Sequence, residues 1–245
     1  MTADAGRLAY WLNKKVNQAI YDFAMIAGGD RVAVGVSGGE DSLTLLRLLD
    51  LRRRAAPEQY EIVAIHVSCD TRGAETMLHE PLRDWLAASG LEHRIERVSL
   101  PEDEQVPLSC QRCAWHRRRT LFQAAHEAGC GVVALGHHAD DLAETALANI
   151  LFHGRPESML PKRDYFSHKL TLVRPLCLLT KKEIDRFARA SRFPPPPPPC
   201  PRGEESLRAL SRQILGQIPA QMIDQVRANL LRLGREYAEC AEEEE

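Results

Sequence analysis

At 245 residues the chain is long enough for one α/β domain with a smaller appendage, and for a full hydrophobic core. Hydrophobic residues make up 44% and charged residues 27%, which excludes a disordered or fibrous chain. The formal charge of −2 decides nothing about nucleic acid, because the acids gather in Glu242 to Glu245 while arginines cluster at Arg52–Arg54 and Arg117–Arg119, so a basic face remains open. No apolar run is long enough to span a bilayer and no secretory signal opens the chain, so no membrane association and a cytoplasmic location are expected.

In chain order, residues 5–27 carry Leu8, Leu12, Val16, Ile20 and Phe23 at helical spacing and predict an amphipathic helix. The β-branched run Arg31 to Val36 predicts a buried parallel strand. It breaks at Ser37-Gly38-Gly39 and passes through Asp41 and Ser42 into a helix over 43–54. A second strand over 61–67, a loop at Asp70 to Gly73, a helix over 75–88 and an alternating third strand over 92–98 follow. Cys110-Gln-Arg-Cys113 opens a further helix, and a fourth strand over 132–135 delivers Gly136-His-His-Ala-Asp-Asp141 into a helix over 142–152. His137, His138, Asp140 and Asp141 sit where ligand contacts are expected, the alternative being a plain helix N-terminus capped by Asp140. Residues 170–176 predict another strand, and Thr180 should cap a helix over 181–190. Six prolines, Pro194 to Pro199, then form a stiff polyproline segment ending at Cys200, and helices over 204–218 and 220–239 finish the chain. Strands separated by helices at this rhythm predict a doubly wound parallel sheet, with ligands beyond the carboxyl ends of its strands. The expected division is a helix in 1–30, the nucleotide domain in 31–192, and a proline and helical addition in 193–245.

The string Ser37-Gly38-Gly39-Glu40-Asp41-Ser42 between strand and helix is the first chemical signal. Adjacent glycines open turn conformations closed to other residues and leave no Cβ in a ligand's way. Backbone N–H groups, two hydroxyls and the positive end of a helix then converge on one point, which makes an anion cradle. The string resembles that of the pyrophosphate-loop (PP-loop) ATPases, which split ATP between the α and β phosphates; no Gly-Lys-Ser/Thr of the Walker pattern follows it.

Cysteine supplies the second signal. Seven cysteines, an odd count, read in a reducing compartment as ligands, nucleophiles or core. Cys110 and Cys113 at this spacing can share a metal such as structural zinc, form a disulfide or carry sulfur. Cys200 is the only other one in a distinctive setting, between prolines; Cys69, Cys130, Cys177 and Cys240 read as buried or incidental thiols. Three thiolates without an evident fourth ligand suit a [4Fe–4S] cluster with one open iron.

The ordered set resembles the tRNA-cytidine 2-sulfurtransferases, over roughly residues 10–215. It comprises the helix of Asn17 to Ile26, the Ser-Gly-Gly-x-Asp-Ser string, Cys110-x-x-Cys113, Arg117-Arg118, Gly136 to Asp141, Asn149, Pro161-Lys162, Arg174-Pro175-Leu176 and Phe193 to Cys200. The resemblance implies a Rossmann-like sheet of the adenine nucleotide alpha hydrolase type with helical N- and C-terminal additions. It implies ATP contacts at Ser37, Gly38, Gly39, Asp41 and Ser42, with Asp41 near Mg²⁺, and further nucleotide contacts at His66, Gly136, His137 and Asp141. Cys110, Cys113 and Cys200 would hold the cluster and take part in catalysis with Asp41. Arg117, Arg118, Lys162 and Arg174 would meet tRNA phosphates. A homodimer and an external sulfur donor, a cysteine desulfurase persulfide or sulfide, are the implied partners. Glu40 stands where the resembling family usually has Lys, and Ser68 where it usually has Asp, with Asp70 close by. An ATP-dependent amine ligase and a non-catalytic nucleotide- or tRNA-binding protein with a zinc at Cys110 and Cys113 are the competing readings.

Overall fold

The computed structural model describes residues 2–69, 79–198 and 207–243. Six strands form one sheet in the order β3-β2-β1-β4-β6-β5. They are β1 (Arg31–Gly35), β2 (Glu61–Ser68), β3 (Glu92–Arg97), β4 (Val132–Ala134), β5 (Lys162–Tyr165) and β6 (Leu170–Val173). All pairs are parallel except β5 with β6. The strand order reverses between β1 and β4, the crevice where open α/β sheets bind ligands.

Side chains alternate across the sheet and feed two cores. Val32, Val34, Ile62 and Ala64 point into one, shared with α1 (Ala3–Asp22), α2 (Glu40–Arg53), α3 (Glu80–Ala88) and α6 (Lys181–Ser191). Ala33, Val63, Ile65 and Val133 point into the other, closed by Leu121, Phe122 and Ala125 of α4 (Cys110–Glu127). Leu43, Leu45, Leu46, Leu48 and Leu49 of α2 are all buried, because α1 and α6 cover the side that the sheet does not. Helix α5 (Ala139–His153) sends Leu142 into the first core, and Ala143 and Ala146 into a third cluster with Leu215 of α7 (Leu207–Gly216) and Leu230 of α8 (Ala220–Glu243).

Several expectations change. Helix α1 stops at Asp22 rather than at residue 27: Phe23 closes it and Ala24 takes a positive φ of 46°. The short strand β5 was not expected, and it pairs antiparallel on the sheet edge. The cap of α5 is His138, not Asp140: its ring nitrogen accepts from the Asp141 N–H while Asp141 accepts from the His138 N–H, a reciprocal box. Thr180 caps α6 as expected, paired with Glu183. Asp70 and Cys200 lie outside the described residues. No described helix is long and apolar enough to cross a membrane.

Phe187 on α6 is the largest fully buried side chain and meets Phe193 edge-on at 6.1 Å between ring centres. Phe187→Ala is expected to destabilise the fold by about 3–5 kcal/mol, measured by urea unfolding.

Candidate functional site

The end of β1 and the end of β4 each turn into a helix at the reversal point, and the two turns touch. A Cβ added to Gly136 would lie 3.0 Å from the backbone of Asp41 and Ser42, tighter than most side chains pack, so glycine lets the β4–α5 turn rest on the β1–α2 loop without displacing it. The loop is held by its own serines. The Ser42 hydroxyl donates to the Gly39 carbonyl (2.9 Å) and accepts from the Ser37 N–H (3.1 Å), while the Gly39 N–H donates to the Ser37 hydroxyl (3.3 Å). Gly38 has φ +88°, and its missing Cβ makes room for Leu82 and Pro197 at 3.0 Å, not for a ligand. The proline segment therefore lies against the loop from outside.

Gly39 caps α2 without any side-chain hydrogen bond. The neighbouring helices α4, α5 and α6 are capped by the side chains of Ser109, His138 and Thr180. An α2 terminus without a side-chain cap, with its N–H groups at the head of a cavity, is suited to an anion. That cavity, about 420 Å³, is lined by Ser37, Asp41 and Ser42 of the loop, Gly136, His137 and Asp141 of the second turn, and Ala114, Arg117 and Arg118 of α4. Its size is that of a small-molecule site.

Cys110 is exposed and Cys113 half-buried; both are free thiols in the first turns of α4, whose next residue, Ala114, already faces the cavity. Arg112, between them, is pulled aside by Glu104, which also accepts from His116 at 3.0 Å; the Arg112 guanidinium holds the Glu104 carboxyl down at about 2. This clamp fixes the loop before α4 to the helix. Among the described residues no three His, Cys, Asp or Glu side chains form a ready metal site. Two thiols at a helix N-terminus fit as part of a sulfur ligand set; Cys200, the expected third, lies outside the described residues. Cys130 and Cys177 are buried, and burial pushes the Cys177 thiol up to about 12.

Other expected residues are placed differently. His66 does not reach the cavity wall: it is buried, and its Nδ1 donates to the Val36 carbonyl at 2.7 Å, tying β2 to the start of the loop. Arg174 is 4% exposed and donates to the Leu160 carbonyl, so it is no surface phosphate contact; burial lowers its pKa to about 10. Lys162 donates to the Ala24 carbonyl at 2.9 Å, closing the end of α1. Arg117 and Arg118 are exposed, and they line the cavity itself.

Two cations escaped the sequence reading. The Lys181 ammonium lies 2.6 Å from Asp41, 3.1 Å from Asp185 and 3.7 Å from Glu40. Burial works against its charge, but the bonds to Asp41 and Asp185 hold its pKa above the usual lysine value. Glu40 is raised by burial, with Lys181 opposing. A lysine in the first turn of α6 is unfavourable toward that helix's dipole, which was the available signal that it serves another element. The second is Arg208 on α7, 2.7 Å from Asp141 and also on the cavity wall.

Burial and the neighbouring Arg174, Arg208 and Arg118 push His137 down to about 4. The unfolded chain, with an ordinary histidine, then takes up its proton first as pH falls, so this residue's contribution to stability is full above about 6.5 and is lost as pH falls toward 4. The ring should stay neutral at pH 6 when followed by NMR; a midpoint near 6.5 would contradict this environment.

Comparison with known proteins fits this geometry. The PP-loop domain model matches residues 10–194. The tRNA-cytidine(32) 2-sulfurtransferase of Syntrophotalea carbinolica is 37% identical over 223 residues, covering 90% of this chain and 85% of the relative. The protein of the same name from Anaeromyxobacter sp. (strain K) is 36% identical over 234 residues, covering 92% and 78%. Among solved structures, the U34-tRNA thiolase NcsA of Methanococcus maripaludis, determined with its [4Fe–4S] cluster, shares the fold at a TM-score of 0.75 and 21% identity, over 95% of this chain and 79% of that one. With a PP-loop domain over most of its length and relatives of one name along nearly all of it, the chain belongs to the tRNA-cytidine 2-sulfurtransferase family of PP-loop proteins.

Proposed function

We propose that this protein is an ATP-dependent tRNA sulfurtransferase that activates the C2 carbonyl of a pyrimidine, cytidine 32 by the name of its relatives, and exchanges that oxygen for sulfur. One observation carries the reading: the serine-glycine loop and the helix that begins with Cys110 and Cys113 open onto the same cavity. A phosphate-binding turn alone would suit any PP-loop ligase. A pair of free thiols at the start of the helix that lines the same cavity suits sulfur chemistry.

A C2 carbonyl is a poor electrophile because its oxygen is a poor leaving group. In the proposed reaction that oxygen attacks the α-phosphorus of ATP, the bond to pyrophosphate breaks, and the base carries an adenylate. A sulfur nucleophile then adds at C2, the C2–O bond breaks, and AMP leaves with the oxygen. The open N-terminus of α2, Ser37 and Ser42 hold the pyrophosphate. Asp41, on the cavity wall, would hold a Mg²⁺, which when bound would offset charge on the departing pyrophosphate. Its partner Lys181 offsets part of the negative charge that Glu40, Asp41 and Asp185 bring together. Arg117 and Arg118 at the mouth attract the phosphates of nucleotide or RNA.

The chemistry of the thiol pair fits a [4Fe–4S] cluster held by Cys110, Cys113 and Cys200, which when bound supplies a soft site for sulfide. The residues themselves need only keep two thiols in the first turns of the helix whose Ala114 lines the cavity, and the Glu104 clamp on Arg112 keeps that turn in place. A homodimer and a persulfide or sulfide donor complete the proposal.

Asp41→Ala is expected to lower AMP and pyrophosphate formation at least 100-fold while leaving iron content unchanged. Cys110→Ala or Cys113→Ala is expected to lose iron and thiolation yet keep ATP binding. Nucleoside analysis of tRNA from cells with and without the gene decides the whole: an unchanged 2-thiopyrimidine level would reject the assignment.

A further inference from the structure

The nucleotide cavity is not completed by the PP-loop domain. One cation on its wall, Arg208, comes from α7, beyond the residues 10–194 that match the domain. We infer that Arg208 is a phosphate-binding residue of this cavity, delivered by the C-terminal helices to the pyrophosphate portion of the nucleotide. The inference rests on the nucleotide reading above and adds a ligand to it.

Three ion pairs dock the C-terminal helices on the start of α5. Arg227 of α8 meets Asp140 at 2.5 Å, Arg208 meets Asp141 at 2.7 Å, and Arg212 meets Glu144 at 2.8 Å. Arg208 differs from the other two because it also lines the cavity. Its ion pair does not saturate it: the guanidinium Nε is buried and has no partner. Asp141, in turn, does not depend on Arg208 alone, since it accepts from the His138 N–H at 3.1 Å. A guanidinium with a donor to spare, facing a carboxylate that also holds a backbone N–H, can turn toward an arriving phosphate without leaving Asp141 without a hydrogen bond.

The charge balance of the wall agrees. Arg117, Arg118 and Arg208 face Asp41 and Asp141 around the uncapped end of α2, so the cavity has an excess of positive charge before any ligand enters. A pyrophosphate group carries the charge that this excess suits. Arg117 and Arg118 make no ion pair among the described residues and stand on the exposed side of α4. Arg208 reaches the wall from α7, past Asp141 at the start of α5. A planar, bidentate cation there can grip phosphate oxygens in a defined geometry, which a lysine cannot reproduce.

The test is equilibrium binding of pyrophosphate, Mg–ATP and adenosine to the full-length protein and to the Arg208→Ala, Arg208→Lys and Arg212→Ala variants. Arg212→Ala removes a neighbouring pair of the same helix that lies outside the cavity wall, so it reports on docking alone. Loss of one charge-assisted phosphate contact corresponds to about 10- to 100-fold in affinity. Arg208→Ala is expected to weaken pyrophosphate and Mg–ATP by that factor and to leave adenosine unchanged. Arg208→Lys should fall between, and Arg212→Ala should stay within about twofold for all three ligands. Equal pyrophosphate binding by wild type and Arg208→Ala overturns the assignment while the nucleotide reading stands. Loss of adenosine binding in step with pyrophosphate, or an equal loss in Arg212→Ala, overturns it in favour of a docking role. A wild-type protein that binds neither ATP nor pyrophosphate rejects the nucleotide reading and this inference together.

Discussion

The contact between two turns governs this structure. Gly136 rests so close to the backbone of Asp41 and Ser42 that an added methyl group would sit 3.0 Å from it, and that closeness brings the first turn of α5 to the first turn of α2. Every polar group of the site is placed relative to this junction. Ser37 and Ser42 stiffen one side through their own hydrogen bonds, and His138 with Asp141 stiffens the other through a reciprocal cap. The parallel register of β1 with β4 sets the height at which the turns meet, so a slip of one residue would move Gly136 off the loop and send Val132 and Ala134 to the wrong face.

The junction gathers acids as well as N–H groups: Glu40 and Asp41 open α2, and Asp140 and Asp141 open α5. Acids there favour the helix dipoles but oppose an anionic ligand in the same place. The fold resolves this conflict with cations from other elements. Lys181 on α6 covers Asp41, Arg208 on α7 covers Asp141, and Arg227 on α8 covers Asp140. Asp140 also accepts from the Lys181 N–H at 2.7 Å, so the N-termini of α5 and α6 are bonded to one another. The C-terminal helices are in this way part of the electrostatics of this cavity.

The sequence made the sheet and the loop legible because both are local. A β-branched run, a glycine pair and an apolar helix occur within about twenty residues, and the spacing of the next such units tells how the sheet is wound. The thiol pair at Cys110 and Cys113 was equally plain. What escaped depends on distant partners. Lys162 to Tyr165 shows no apolar alternation, since an edge strand with half-buried and exposed residues needs none, and only pairing with β6 makes it a strand. Arg174 looks like a surface cation in the sequence, yet the turn after β6 folds it inward to the Leu160 carbonyl. Gly38 reads as a ligand-facing glycine until Pro197, more than 150 residues later, is seen against it. Lys181 and Arg208 owe their roles to carboxylates far away in the chain, and no spacing rule reaches that far.

His137 shows how these parts constrain one another. It stands at the carboxyl end of β4, on the cavity wall, with Arg118, Arg174 and Arg208 all raising the cost of its protonation. Its Nδ1 is buried and has no partner. A charged imidazole there would add to an excess of positive charge that the arginines already supply, and burial would penalise it further. The neutral ring instead offers one donor and one acceptor of fixed direction. In this arrangement the arginines and the end of α2 would attract an anion, and the histidine would fix a direction. A carboxylate substituted at position 137 would reverse that division, drawing the arginines onto itself and closing the cavity to phosphate. The pattern of charges around β4 thus argues for a site built to receive a multiply charged anion rather than to exchange protons.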